Sequence, residues 1–329
     1  MRELQSRWKR VSLNEVRALS DVISNTLPII LFISFGFLIQ RKEILKKSTI
    51  IDIKKIVMNI SLPAVLFITF INMDFKKEYY LIILCIILLM TILYFTGAIL
   101  NLFKRIHNPL NPFMSTGFSF GLLGVPLYGT VFGVDNLGKI SVIGVGHELY
   151  MWFIFFTLLK IKFNNDKFTA STIIEMIKSP LIIGVVLGIL LNITGFKGFI
   201  HEVGILKGIF TTIQYMANIA TPLILIIVGY DLKINKKYLR GSIRIVILRI
   251  MVVFIIGYAF KFLVLDALIK DDKLFDYAYF TFLILPPPFS TPIFMDKYNA
   301  HEYRDLANNV TVLDTIICII VYVIFVALL

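Results

Sequence analysis

Charge is scarce in this chain. Only 16% of its 329 residues are Asp, Glu, Lys or Arg, against roughly 25% in an average soluble domain. Cysteine is nearly absent: Cys85 and Cys318 both fall in apolar stretches, so no disulfide framework can be argued. Catalytic motifs are missing too. His147-Glu148 resembles the start of a zinc-hydrolase motif, but position 151 is Met, so HExxH is not formed. No nucleophile–base motif, metal cluster or soluble output domain stands out, which argues against an enzyme or a sensor. No small-residue cleavage site follows the first apolar run, Val22–Gln40, which reads as a retained helix and not a signal peptide.

What is abundant is apolar sequence. The chain is 58% hydrophobic, with a mean hydropathy of +0.84, and uncharged windows of about 18 residues or more recur along it. The expected class is an all-α polytopic membrane protein. Ten spans are expected at 22–40, 56–73, 79–103, 111–132, 140–159, 179–196, 208–230, 245–262, 274–295 and 306–328. The net charge of +12 would suggest nucleic acid in a soluble protein. Here Lys and Arg sit in short loops, where topology explains them, and no nucleic-acid partner is expected.

The chain divides at the charged linker 160–178, after a basic tail 1–21, into five spans at 22–159 and five at 179–329. "NISLPAVLFI" (59–68) matches "NIATPLILII" (218–227) at five of ten positions, including Asn59 with Asn218 and Pro63 with Pro222. Pro28 and Gly36 likewise mirror Pro180 and Gly188. Five is odd, so the halves insert with opposite orientation. That is an inverted repeat, typical of secondary transporters. One set of loops carries 19 Lys and Arg, the other 8 plus 5 in the tail. The positive-inside rule then places both termini on the non-cytosolic side of the cytoplasmic membrane. The tail, with Trp8 and Val11, reads as an interfacial helix or as the product of an upstream start.

Two equivalent spans carry breaks, "FGLLGVPLYG" (120–129) in span four and "ILPPPFSTPIF" (284–294) in span nine. Three consecutive prolines cannot all sit inside a regular helix. Unwound backbone survives within hydrocarbon only where protein or a polar cavity receives it. A single break reads as a simple proline kink. A pair in equivalent spans reads as a midplane site, with half-helix N-termini facing an anion. The candidate substrate-binding residues are Ser119, Gly121, Gly124, Pro126, Pro286, Pro287, Ser290 and Thr291.

Ionisable residues well inside spans are few. His147 and Glu148 lie in span five and Asp314 in span ten. Such groups face a cavity or a partner, and a His–Glu neighbour can titrate between about pH 5 and 8. They are candidates for proton or ion coupling; hydrogen-bonded support of unwound backbone is the other reading. Asn59, Ser61, Asn218 and Thr221 precede the scaffold prolines and are expected to bond freed carbonyls or neighbouring helices. Arg240, Arg244 and Arg249 are expected to snorkel from the inner end of span eight. The basic loops 41–55 and 233–244 would meet anionic lipid.

The chain resembles the auxin efflux carrier family, which includes bacterial malate and malonate permeases. The likeness lies in "LNEVRALSDVISNTLPIILFISFGFLIQRKEI", "NISLPAVLF", "GFSFGLLGVPLYGTVFG", "KSPLIIGVVLGILLNITGF" and "TPLILIIVGYDL". The end of the chain, "LPPPFSTPIFMDKYNAHEYRDLANNV", is similar to the closing segment of plant PIN-type carriers. The resemblance implies the fold of bile-acid sodium symporters. Spans 1, 2, 6 and 7 would form a scaffold, and spans 3–5 and 8–10 a transport domain crossing at the broken helices four and nine. It also implies elevator-like movement and a carboxylate substrate. The family usually has Asn where Ser119 and Ser290 stand; a hydroxyl has shorter reach and one donor fewer.

The expectation is a permease or efflux carrier for a small organic anion, coupled to H⁺ or Na⁺, with no cofactor and no metal. A sodium-coupled symporter and a non-transporting sensor are the alternatives. Membrane lipid and a second copy, joined through the scaffold helices, are the other expected partners.

Overall fold

The structure, a computed structural model, describes residues 27–72, 78–164, 174, 178–232, 235–297 and 300–329. The tail 1–21 and most of the linker 160–178 lie outside the described residues. Among those residues there is helix and no strand, as expected where every backbone group must find its partner within its own segment.

Among the described residues, six helices are long and apolar enough to cross a membrane: α2 (Lys47–Asn72), α3 (Tyr79–Leu102), α5 (Leu137–Phe163), α7 (Gly204–Asp231), α8 (Lys236–Leu268) and α10 (Glu302–Ala327). Helices α1 (Leu27–Arg41) and α6 (Pro180–Ile193) are apolar but shorter. A short helix, Phe196–Glu202, joins α6 to α7. The lipid-facing side is legible in spacing: Leu81, Leu84, Leu88 and Phe95 on α3, and Ile243, Ile247, Met251 and Ile255 on α8, are exposed along one stripe of each helix.

Two elements are interrupted. α4 consists of α4a (Asn111–Thr116) and, after the unwound residues 117–119, a wide turn Phe120–Gly124 leading into Val125–Phe132, together α4b. α9 consists of α9a (Lys273–Ile284) and α9b (Ser290–Lys297), separated by residues 285–289. Leu285 is extended, with ψ 140°, because the Pro286 ring disfavours helical backbone in the residue before it. The break in α4 lies before the stretch in which the sequence placed it. Pro126 follows the wide turn Phe120–Gly124 inside α4b, which makes room for its ring and its missing N–H.

The matched sequences around Pro63 and Pro222 both mark irregular helix. A wide turn at Val57–Ser61 precedes Pro63 and makes room for its ring. α7 is pinched at Ile219, three residues before Pro222.

Packing separates the helices into two sets. In one, α1 lies on α7 and α6 on α2 through glycines. Gly229 faces the Ile33 carbonyl, and Gly36 the carbonyl of Ile226. A Cβ on Gly184 would stand 2.5 Å from the Pro63 oxygen, and one on Gly188 2.8 Å from that of Phe67. Small residues let backbones approach this closely in a membrane. Asn192 donates to the Phe70 and Ile71 carbonyls at 3.0 and 2.9 Å, and Lys54 pairs with Asp231 at 2.5 Å, tying α2 to α7.

The second set is α3, α4, α5, α8, α9 and α10. Thr116 donates to Met90 at 2.5 Å, Tyr128 to Leu274 at 3.0 Å, Tyr279 to Gly257 at 2.7 Å and Tyr322 to Leu127 at 2.7 Å. Lys139 pairs with Asp272, whose carboxylate also caps α9a through the Phe275 N–H at 3.0 Å. All the polar ties named here stay within one set or the other. Between the sets, Leu62 of α2 lies against Gly121 of α4b, an apolar contact.

Candidate functional site: the crossing of two broken helices

The two breaks meet. Ser119 donates its N–H to the Pro286 carbonyl at 2.8 Å and its hydroxyl to the Pro287 carbonyl at 2.7 Å. A proline run leaves carbonyls without their helical donors, and Ser119 supplies two from the other strand of the crossing. Its hydroxyl is therefore committed to backbone. Gly117 fits against the Pro288 ring, where a Cβ would stand 2.7 Å from two ring carbons. Gly124 packs on Leu285, with 2.8 Å from a built Cβ to Leu285 Cδ1. Phe118 and Phe282 stack with ring centroids 4.4 Å apart, closing the crossing with aromatic surface.

On one side the crossing is held by Arg249 of α8, which is 2% exposed. Its Nε donates to Asp314 Oδ2 at 2.8 Å, one Nη to the Met114 carbonyl and the other Nη to the Leu285 carbonyl at 2.7 Å. Met114 lies in the last turn of α4a and Leu285 closes α9a, so one guanidinium satisfies carbonyls at the ends of both half-helices. The cation also lies 4.8 Å from the Phe118 ring centroid. The snorkelling expected of Arg249 is thereby corrected. Helix α8 begins at Lys236, so Arg249 lies roughly 20 Å along its axis, too deep to reach water. Asp314 has this arginine as its partner. Arg240 and Arg244 are exposed, and Arg244 donates to the Arg105 carbonyl at 2.9 Å.

His147 of α5 packs against three rings of the crossing, Phe118, Phe120 and Phe282, at 6.2, 5.7 and 5.8 Å between centroids. Its Nδ1 is 3.2 Å from Glu148 Oε1. Its Nε2 is buried without a hydrogen-bond partner among the described residues, as is Thr291 Oγ1 in the first turn of α9b. Gly144, one turn before His147, leaves room for the Phe120 ring.

Between the two sets lies a cavity of about 850 Å³, within the range of small-molecule sites; it meets α4b at Val125, Gly129 and Thr130, beyond the crossing residues. Asn72, Tyr79, Asp135 and Gln214 line one end; Val65, Val125 and Thr221 stand deeper along their helices. Thr69, Thr130, Lys139 and Asn218 add polar groups.

The residues singled out in sequence therefore separate. Ser119, Pro286 and Pro287 form the crossing, and Ser290 and Thr291 open α9b. Pro126 is buried in its helix, and Gly121 faces Leu62. Asn218 and Thr221, expected as scaffold contacts, line the cavity. Asn59 does bond a carbonyl, that of Lys55 at 2.8 Å, while Ser61 Oγ is buried with no partner among the described residues. Sequence reasoning missed Arg249. The signal was a basic and an acidic residue in two apolar spans, each needing a partner.

No curated protein matches the chain. A family model described as membrane transport protein matches residues 21–326. The chain belongs to this membrane transport family, that of the auxin efflux carriers, and is a multi-pass membrane transporter.

Proposed function

We propose that this transporter carries a small carboxylate anion across the cytoplasmic membrane by alternating access, with the α4/α9 crossing and its cavity as the substrate path. The observation that carries this is the direct bonding of two broken helices at Ser119 and Pro287, with a polar-lined cavity of about 850 Å³ along the continuation of α4b. Broken helices turn fresh N–H groups and a partial positive charge toward the space they border, which suits a carboxylate.

The division into two sets supports elevator-like motion. Within each set, ion pairs and hydrogen bonds tie helix to helix, whereas Leu62 and Gly121 meet across the boundary without polar bonds to break. Adding α1, α6 and the interrupted α4 and α9 to the six long helices supports the reading of a ten-span chain. Its inverted symmetry is supported by the packing of α1 on α7 and of α6 on α2, which exchange when the halves are superposed. Glu148, backed by His147, is the proposed proton site.

The deciding experiment is transport in proteoliposomes with a panel of mono- and dicarboxylates, under imposed pH, Na⁺ and voltage gradients. Accumulation or exchange of a carboxylate supports the reading. A panel in which no carboxylate crosses, from protein shown to be folded, sinks it.

A further inference from the structure

The place where the two half-helices end is already occupied by a cation. In broken-helix carriers, carbonyls of unwound backbone and of half-helix C-termini are the groups that coordinate a coupling cation. Here the Met114 and Leu285 carbonyls, one from each half-helix, both accept from Arg249, and the nearby carboxylate, Asp314, accepts from its Nε. Two carbonyls and a carboxylate make a donor set suited to a hard monovalent cation. The guanidinium satisfies all three with a fork of fixed geometry that stays charged at any physiological pH. Phe118 covers it.

We propose that Arg249 is the resident cation of the crossing. It fills, as part of the chain, the carbonyl site that a coupling alkali ion would need, so the carrier works without Na⁺. The inference deepens the proposed carrier function and rests on it. It also separates that reading from the sodium-coupled alternative: an occupied site cannot bind and release Na⁺ in each cycle. With Asp314 as counter-charge, the pair adds no net charge to the moving helices. The pair is internal to the α8/α10 side of the crossing and travels with it. A small cavity of about 50 Å³ borders the pair, lined by Arg249, Asp314, Leu285 and Cys318. Truncating Arg249 would merge with that space and open a void fit for a small cation.

The test uses the full-length protein purified in detergent, with thermal unfolding followed in NaCl and in choline chloride at equal ionic strength, and saturable ²²Na⁺ binding measured alongside. Wild type should unfold at the same temperature in both salts and show no saturable ²²Na⁺ binding. Arg249→Ala keeps Asp314 and both carbonyls. It should gain stabilisation by Na⁺, or by low millimolar guanidinium, over choline. A cation at 100 times its Kd lowers the unfolding constant about 100-fold. Adding Asp314→Asn to Arg249→Ala should remove that gain.

Na⁺-specific stabilisation or ²²Na⁺ binding in wild type overturns the proposal. So does a folded Arg249→Ala that is indifferent to both cations. If Arg249→Ala yields no folded protein, the wild-type arm decides alone. None of these readouts needs a substrate, so a failed carboxylate panel and a failed resident-cation proposal are told apart.

Discussion

Ser119 and Pro287, 168 positions apart in the chain, share a 2.7 Å hydrogen bond in which the serine hydroxyl donates to the proline carbonyl. This bond shows what the small side chain at position 119 does here. It closes the crossing on itself, because the neighbouring N–H of Ser119 reaches Pro286 and the hydroxyl lies in register for the next carbonyl. Ser119→Ala should leave the Pro287 oxygen buried and unsatisfied, at a cost of about 1–3 kcal/mol. Denaturant or thermal unfolding in detergent measures it. An unchanged midpoint would remove Ser119 from the forces holding the crossing.

Steric fit at the crossing gives a second prediction. Gly117→Ala drives a Cβ to within 2.7 Å of the Pro288 ring, and Gly124→Leu fills the space taken by Leu285. Both should abolish transport while the protein still reaches the membrane. Pro126→Ala should transport almost as wild type, since the proline sits in continuous helix behind a wide turn that already accommodates it, away from the unwound residues 117–119. Loss of uptake in Pro126→Ala with wild-type uptake in Gly117→Ala would move the functional break back to the proline.

That reversal marks how far the sequence was legible. Asn59 and Pro63 against Asn218 and Pro222 disclosed related irregularities, and the triple proline located the break in α9 because proline chemistry acts on the residue itself and on its neighbour. The α4 break was misplaced because Gly117–Phe118–Ser119 holds no residue that forbids helix. Those residues unwind because Pro286, Pro287 and Pro288 lie across from them, and contacts between distant segments leave no local trace. Arg249 was misread for a related reason. Burial depends on where the helix starts, and the polar first turns from Lys236 carried no apolar signal. Asn218 and Thr221 were recognised as polar groups in an apolar helix, but which side they face follows from the packing of α7 against α2 and α4b.

Relative motion of the two sets gives a third prediction. Leu62 lies 3.3 Å from a Cβ built on Gly121, on opposite sides of the proposed sliding boundary. In a background of Cys85→Ser and Cys318→Ala, the pair Leu62→Cys and Gly121→Cys should cross-link under oxidation and stop uptake, with dithiothreitol restoring it. A control pair at Ile86 and Gly146, both in the second set and with the Ile86 Cβ 2.9 Å from a Cβ built on Gly146, should show the same uptake oxidised and reduced. Full uptake by the cross-linked Leu62–Gly121 pair is incompatible with sliding there.

Asp314 gives a fourth. Its partner Arg249 is fixed, buried and three-fold bonded, so Asp314→Asn leaves a buried guanidinium without its counter-charge. Breaking such a pair costs about 3–5 kcal/mol. The expected result is a large drop in unfolding midpoint, with Arg249→Met plus Asp314→Leu recovering only the part due to the unpaired charge, because the Met114 and Leu285 carbonyls lose their donor as well. If Asp314→Asn were as stable as wild type, the ion pair would have no part in holding the half-helices together.

Glu148, the proposed proton site, gives the last prediction. It is only partly buried, it stands 3.2 Å from His147 Nδ1, and the far nitrogen of that ring is buried among the aromatic residues of the crossing, without a hydrogen-bond partner among the described residues. Glu148→Gln keeps size and hydrogen bonding but cannot ionise. It should lose accumulation driven by a pH gradient while keeping counterflow exchange, because exchange needs the substrate path and no net proton movement. A Glu148 that only props the His147 ring gives the opposite pattern, with Gln close to wild type in both assays and Ala unstable. Measuring both assays on Gln and Ala in the same vesicles decides the matter, and pH-driven accumulation intact in Glu148→Gln assigns coupling elsewhere.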